Sequence, residues 1–200
     1  MKYTQKVNEI ILASKSKVRF EILEKYNIKC KVVVSNVDEE PIKESLISKN
    51  STPETISQNL AEIKAIKVSA LNNGFIVIGA DSVISLENEI ISKPTNREEA
   101  LQTLSKLNGK EHHLISSVTI AKDGRKIWNY TDKAKLKMKK FSLEELKQYL
   151  SKISDYALYS YNVYQIEGEG RSLFSNIDGD EDTIMGLPVK KIKEYLKKIL

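Results

Sequence analysis

Phe75-Ile-Val-Ile-Gly-Ala-Asp-Ser82 is the stretch on which the reading of this 200-residue sequence turns. Its first four residues are contiguous, apolar and largely β-branched, which predicts a strand buried on both faces. The run stops at Asp81, and Gly79 and Ala80 leave room beside the backbone just before it. Strands of α/β folds present reactive groups at the carboxyl edge of the sheet, so an acid there has a chemical use. The alternative is a turn aspartate that closes a hairpin into Val83–Leu86.

The rest of the composition narrows the class. Forty per cent hydrophobic residues over this length can bury a substantial core in one domain, or in one domain with two lobes. The 32 basic residues exceed the 27 acidic ones by only five, a modest excess for a nucleic-acid or membrane binder. Cys30 stands alone, which excludes an intrachain disulfide and a multi-cysteine metal site and suits a reducing cytoplasm. No apolar run reaches the ~20 residues that span a bilayer. Lys2 and Lys6 precede an apolar run, Ile10–Ala13, too short for a secretory signal. The expected location is the cytoplasm, with no membrane partner.

Working outward, Glu9–Ala13 predicts a first strand, and Ser14-Lys-Ser16 breaks it before Val18, Ile22, Leu23 and Tyr26 take up helical spacing. Ser16 is a natural N-cap, and free N–H groups at such a start can bind an anion. Lys31–Val34 predicts a second strand that runs into Asp38-Glu-Glu40, either a set of oxygen ligands for a hard cation or a solvated acidic turn. Thr52 and Pro53 open a long helix with apolar positions Ile56, Leu60, Ile63 and Ile66, and Asn72-Asn-Gly74 ends it. Lys64 lies beside that face, able to snorkel or to reach into a cleft.

A hairpin over Val83–Ser92 leads to Lys93-Pro94 and a helix capped at Thr95 or Asn96. His112 and His113 are adjacent and lack ligand spacing. Leu114–Ala121 and Lys126–Met138 predict strands joined at Asp123-Gly124. The lysines at 133, 135, 137 and 139 share one strand face; without aromatic interleaving they suit a solvated sheet better than a nucleic-acid track. Ser142-Leu-Glu-Glu145 is a capping box, and Val189, Ile192, Leu196 and Ile199 mark an amphipathic closing helix.

In order along the chain, these segments resemble the Maf family of nucleoside triphosphate pyrophosphatases. Leu12-Ala-Ser-Lys-Ser-Lys-Val-Arg19 stands where that family shows Leu-Ala-Ser-x-Ser-Pro-Arg-Arg. Val37-Asp-Glu39, Leu60-Ala-Glu-Ile-Lys-Ala65, Gly79-Ala-Asp-Ser82, Lys93-Pro94 and Leu107–His112 follow in family order, as do Val163–Gly168 and Ile184–Pro188. Lys17 and Val18 depart from Pro and Arg, Ser160-Tyr-Asn162 departs from Lys-Ala-Gly, and Ser82 and Glu167 replace Thr and Gln. The Tyr-Gln-Ile-Glu-Gly form is similar to a divergent alphaproteobacterial branch.

The resemblance implies an α/β fold, a Maf/ITPase-like mixed twisted sheet with flanking helices and two lobes about a central cleft. It implies cleavage of a nucleoside triphosphate between its α- and β-phosphates, with Mg²⁺ or Mn²⁺ as cofactor. Asp81, Lys64 and Lys93 would be catalytic, and Ser14, Ser16 and Arg19 would bind phosphate. Asp81 would act as general base or as metal ligand, with Glu39 the second ligand and Asp38 and Glu40 its neighbouring alternatives. Ser82 and Glu167 occupy positions that help select the base. A homodimer is a further implication. A competing reading is a Maf-like protein that has lost catalysis and binds nucleic acid or a protein partner.

Overall fold

The computed structural model describes residues 9–161 and 163–200, and the backbone alone at 159–161. Lys2, Lys6, Asn162 and the Ser160 side chain fall outside the described set.

The centre of the fold is β3 (Ile76–Leu86), buried along nearly its whole length. It does not end at Asp81, contrary to the sequence expectation. Its antiparallel partner β5 (Glu111–Lys122) pairs continuously from Val77↔Ala121 through Asp81↔Ser117 to Ser85↔His113. A ladder on that side ties down the backbone of alternate residues from 77 to 85, so the Gly-Ala-Asp-Ser segment remains extended. The strand then turns through Glu87 and Asn88, both left-handed (φ 55° and 69°), into β4 (Glu89–Ile91). Such two-residue turns match the twist of a hairpin.

Among the described residues seven strands form one mixed sheet. Beyond β3 lie β1 (Ile10–Leu12) and β2 (Cys30–Val32), mutually parallel and parallel to β3. On the other side β5 pairs with β6 (Arg125–Met138) and β6 with β7 (Phe174–Asp178), all antiparallel. The β5–β6 turn uses Asp123 and Gly124 at φ 50° and 76°, as its sequence predicts.

Most helices start where the sequence places them. α1 (Lys17–Lys25) is capped by Ser16, whose side chain accepts from the Arg19 N–H. α3 (Pro53–Leu71) is capped by Thr52, α4 (Arg97–Leu107) by Asn96, and α5 (Leu143–Lys152) by the capping box of Ser142 and Glu145. α8 (Val189–Ile199) buries Val189, Ile192 and Leu196 against the sheet, each contributing about 1.5–3 kcal/mol. Three further helices were not foreseen: α2 (Glu39–Ser48), α6 (Asp155–Tyr161) and α7 (Glu181–Ile184). Nor were β7 and a short 3-10 turn at Glu169–Leu173.

Two large apolar clusters flank the centre. One gathers Ile10, Leu12, Ile22, Ile76, Ile78, Ala80 and Leu196. The other gathers Ile84, Leu86, Leu104, Leu136 and Leu150. β3 contributes to both, and residues 81–83 lie where it passes between them. On the outer face of β6, Lys133 is paired with Glu54 and Lys135 lies 3.7 Å from Glu111, so two of its lysines are balanced locally.

Candidate active site

The site arises from a gap along one edge of β3. That edge pairs with β1 at residues 76–78 and with β4 at residues 84–86. The Ala13 N–H closes the first ladder on the Ile78 carbonyl at 2.8 Å. Two residues on, the Ala80 carbonyl points to the same edge, where a side chain takes the place of a strand: Arg19 Nη1 donates to it at 3.0 Å.

Residues of odd number on this part of β3 face α3. Gly79 is required there, because a Cβ would fall 2.4 Å from the Ala61 carbonyl oxygen and 2.6 Å from the Ala65 nitrogen. The close approach brings Asp81 under the same helix. Ser57, Ala61, Lys64, Ala65 and Val68 form the buried stripe of α3, so Lys64 points inward instead of snorkelling. Its ammonium lies 2.8 Å from Asp81 Oδ1 and 2.8 Å from Glu39 Oε2. The Ser57 hydroxyl donates to the Asp81 carbonyl at 3.1 Å. Glu39 enters this group as the first residue of α2, following Asp38 at the cap.

Burial raises the Asp81 carboxyl above its ordinary value, while Lys64 and Arg19 pull it back. Lys93 follows β4 and is exposed as a residue. Loss of hydration and the Arg19 charge push its ammonium below the usual lysine value, and Asp81 offsets part of that. Lys93 thus senses Arg19, Asp81, Lys64 and Glu39 together. Burial lowers Arg19 as well, with Asp81 and Glu39 opposing.

Arg19 joins three parts of the chain. Its Nε donates to the Gly186 carbonyl at 2.9 Å, its Nη1 also reaches Ser14 Oγ at 3.4 Å, and its Nη2 donates to Ser82 Oγ at 3.0 Å. Ser14 Oγ accepts in addition from the Ser16 N–H. Four of the five guanidinium protons are thereby used within the protein. Val18, where the motif has another arginine, packs into the apolar cluster with Ile22. Glu167 is exposed, and its described hydrogen bond comes from Gln165 at 3.4 Å. Among the described residues no hydrogen bond or ion pair joins it to the Asp81 group.

Among the described residues no three His, Cys, Asp or Glu side chains are placed to hold a metal. The donor chemistry still fits a hard cation, since Asp81 and Glu39 converge on one nitrogen. Mg²⁺ is commonly held by one or two carboxylates together with waters and substrate phosphates.

The serines opposite β3 escaped the sequence reading. Ser116 and Ser117 are fully buried on β5, facing Ser82 and Asp81 in register. Their only signal was two consecutive hydroxyls between the apolar residues Ile115 and Val118.

A sheet edge that gathers a buried carboxylate, a second carboxylate and several cations is suited to a polyphosphate. The sequence matches the family described as Maf-like protein over residues 9–199, and the chain belongs to that family. It is 65% identical over 139 residues to a nucleoside triphosphate pyrophosphatase of Pelagibacter ubique (strain HTCC1062), covering 70% of this chain and 71% of that protein. A nucleoside triphosphate pyrophosphatase of Paramagnetospirillum magneticum (strain ATCC 700264 / AMB-1) is 41% identical, with 66% and 68% covered. A 7-methyl-GTP pyrophosphatase of Brucella abortus biovar 1 (strain 9-941) is 39% identical, with 66% of each chain covered. No described helix is long and apolar enough to cross a membrane.

Proposed function

We propose that the chain hydrolyses a nucleoside triphosphate to the monophosphate and pyrophosphate at the β3 gap. The observation that carries this reading is the buried Asp81 carboxylate, held by Lys64 and flanked by Arg19 and Lys93. The names of the similar proteins support the same substrate class. Water attacks the α-phosphorus, the bond to the bridging oxygen breaks, and pyrophosphate leaves with the electron pair. Asp81 takes the proton of the attacking water, helped by a carboxyl poised above its ordinary value. Lys64 and Lys93 supply positive charge to the phosphates and to the leaving group. Ser14, Ser16 and the remaining Arg19 donor meet phosphate oxygens at the start of α1.

Asp81 and Glu39 would hold a divalent ion, which when bound neutralises phosphate charge and lowers the cost of the departing pyrophosphate. Base selection falls to Ser82, beside Arg19, with Glu167 contributing from its exposed loop. A pyrophosphate-release screen over canonical and modified triphosphates, with Mg²⁺ and with Mn²⁺, tests the assignment. Release from at least one, at a rate that Asp81→Asn abolishes, is expected. No release from any triphosphate would overturn it.

A further inference from the structure

On the face of the sheet opposite Asp81, three polar side chains stand in one row across three strands. Ser82 of β3 is paired in register with Ser116 of β5, and Ser116 with Asp132 of β6. Thr183 of α7 covers the row. Its carbonyl accepts from Ser116 Oγ at 2.7 Å, and its hydroxyl donates to Asp132 Oδ2 at 2.7 Å. Ser82 and Ser116 lie 2.8 Å apart, oxygen to oxygen.

The chemistry of these groups fixes the direction of every proton. A carbonyl can only accept, so the single Ser116 proton goes to Thr183. Ser116 then has only lone pairs for Ser82, and the Ser82 proton goes to Ser116. The Arg19 guanidinium can only donate, so it takes one Ser82 lone pair. Ser82 is half-buried, so part of it stays accessible, and what it has left to offer is its second lone pair.

We propose that Ser116 is a positioning residue that makes Ser82 an acceptor-only hydroxyl, and that the substrate base meeting Ser82 presents an N–H or amine donor. This rests on the proposed triphosphate hydrolysis and deepens it. A base with an oxygen or unprotonated ring nitrogen at that point faces lone pair against lone pair. Ser82 cannot turn its proton outward without leaving its oxygen and that of the fully buried Ser116 facing each other at 2.8 Å with no proton between them.

The test compares kcat/KM within three pairs, CTP with UTP, ATP with ITP, and GTP with XTP. Each pair exchanges an exocyclic amine for an oxo group, and the first two also add a proton to the neighbouring ring nitrogen. The native chain is expected to prefer one member of at least one pair by about ten-fold, the usual effect of a mismatched buried hydrogen bond. Ser116→Ala frees the Ser82 proton and should narrow that ratio several-fold by raising the disfavoured member. Ser116→Thr restores the hydroxyl that accepts the Ser82 proton and should restore the ratio, which a purely structural role would not require. Ser82→Ala should also collapse the ratio.

Triphosphate turnover with no preference in any pair overturns the proposal, and that measurement needs no variant to fold. A ratio unchanged in Ser82→Ala shows that Ser82 does not read the base, and a ratio changed there but not in Ser116→Ala removes Ser116 from the role. Absence of turnover by the native chain on every nucleotide would instead defeat the hydrolase reading itself.

Discussion

Gly79 and Ala61 touch backbone to backbone: a Cβ on Gly79 would fall 2.4 Å from the Ala61 carbonyl oxygen. This contact sets the height of α3 above β3, and therefore the reach of Lys64 to Asp81. Gly79→Ala must push the helix outward, because the obstructing atoms are backbone. A loss of about 1–3 kcal/mol is expected in denaturant melts, as for overpacked cores. Turnover of the folded fraction should fall too, since the Lys64–Asp81 distance lengthens. A variant with native stability would show that the approach is not tight.

Asp81→Asn separates function from stability. Removing the proton acceptor should lower kcat by about a hundred-fold or more. The melting temperature should stay level or rise, because a buried charge disappears while Lys64 keeps Glu39. In the native chain Asp81 must be ionised to act, and burial raises its carboxyl. In the metal-free chain the Asp81 carboxyl should therefore titrate above the ordinary aspartate value of 3.8, followed by NMR. Titration at or below that value would overturn this account of its burial.

Lys64→Met leaves Asp81 and Glu39 together with no ammonium between them. Breaking a buried pair by removing one partner typically costs about 3–5 kcal/mol, and part of that can be relieved by protonation of Asp81. The sign is set by charge: losing a neighbouring cation disfavours the carboxylate, so the acid limb moves to higher pH. Rate profiles of the native and Lys64→Met chains, measured together with urea melts, check both expectations.

His112 supplies a stability effect away from the site. It is fully buried on β5, its Nε2 lies 2.9 Å from the Tyr164 hydroxyl, and its Nδ1 has no partner. Burial lowers its pKa to about 4 from 6.5. The unfolded chain binds a proton below the higher value and the native chain only below the lower one. Its contribution is whole above pH 6.5 and is lost as pH falls towards 4, amounting to roughly 3 kcal/mol. Denaturation at intervals from pH 7.5 to 4 should show that slope, and His112→Leu should flatten it.

Local chemistry wrote much of the fold into the sequence. Ser16, Thr52 with Pro53, Asn96 and the Ser142–Glu145 box each cap the helix they precede, because capping depends on a few neighbouring atoms. α2 escaped because it fully buries no residue and its apolar spacing is limited to Ile42, Leu46 and Ile47, and because Pro41 lies in its first turn. β7 is five residues, mostly polar, and is a strand through its pairing with β6.

The sequence by itself placed Asp81, Lys64, Lys93 and Glu39 in short motifs whose order identifies the family. It also determined that Gly79 precedes the acid, though not why. Only the tertiary structure decided that β3 continues through Asp81, since the deciding ladder comes from β5, more than thirty residues later in the chain. The same structure decided that Arg19 binds Ala80, Ser82 and Gly186, and that Ser116 stands behind Ser82. Those relations join residues distant in sequence through strand register and hydrogen-bond direction, and neither is encoded in any local pattern.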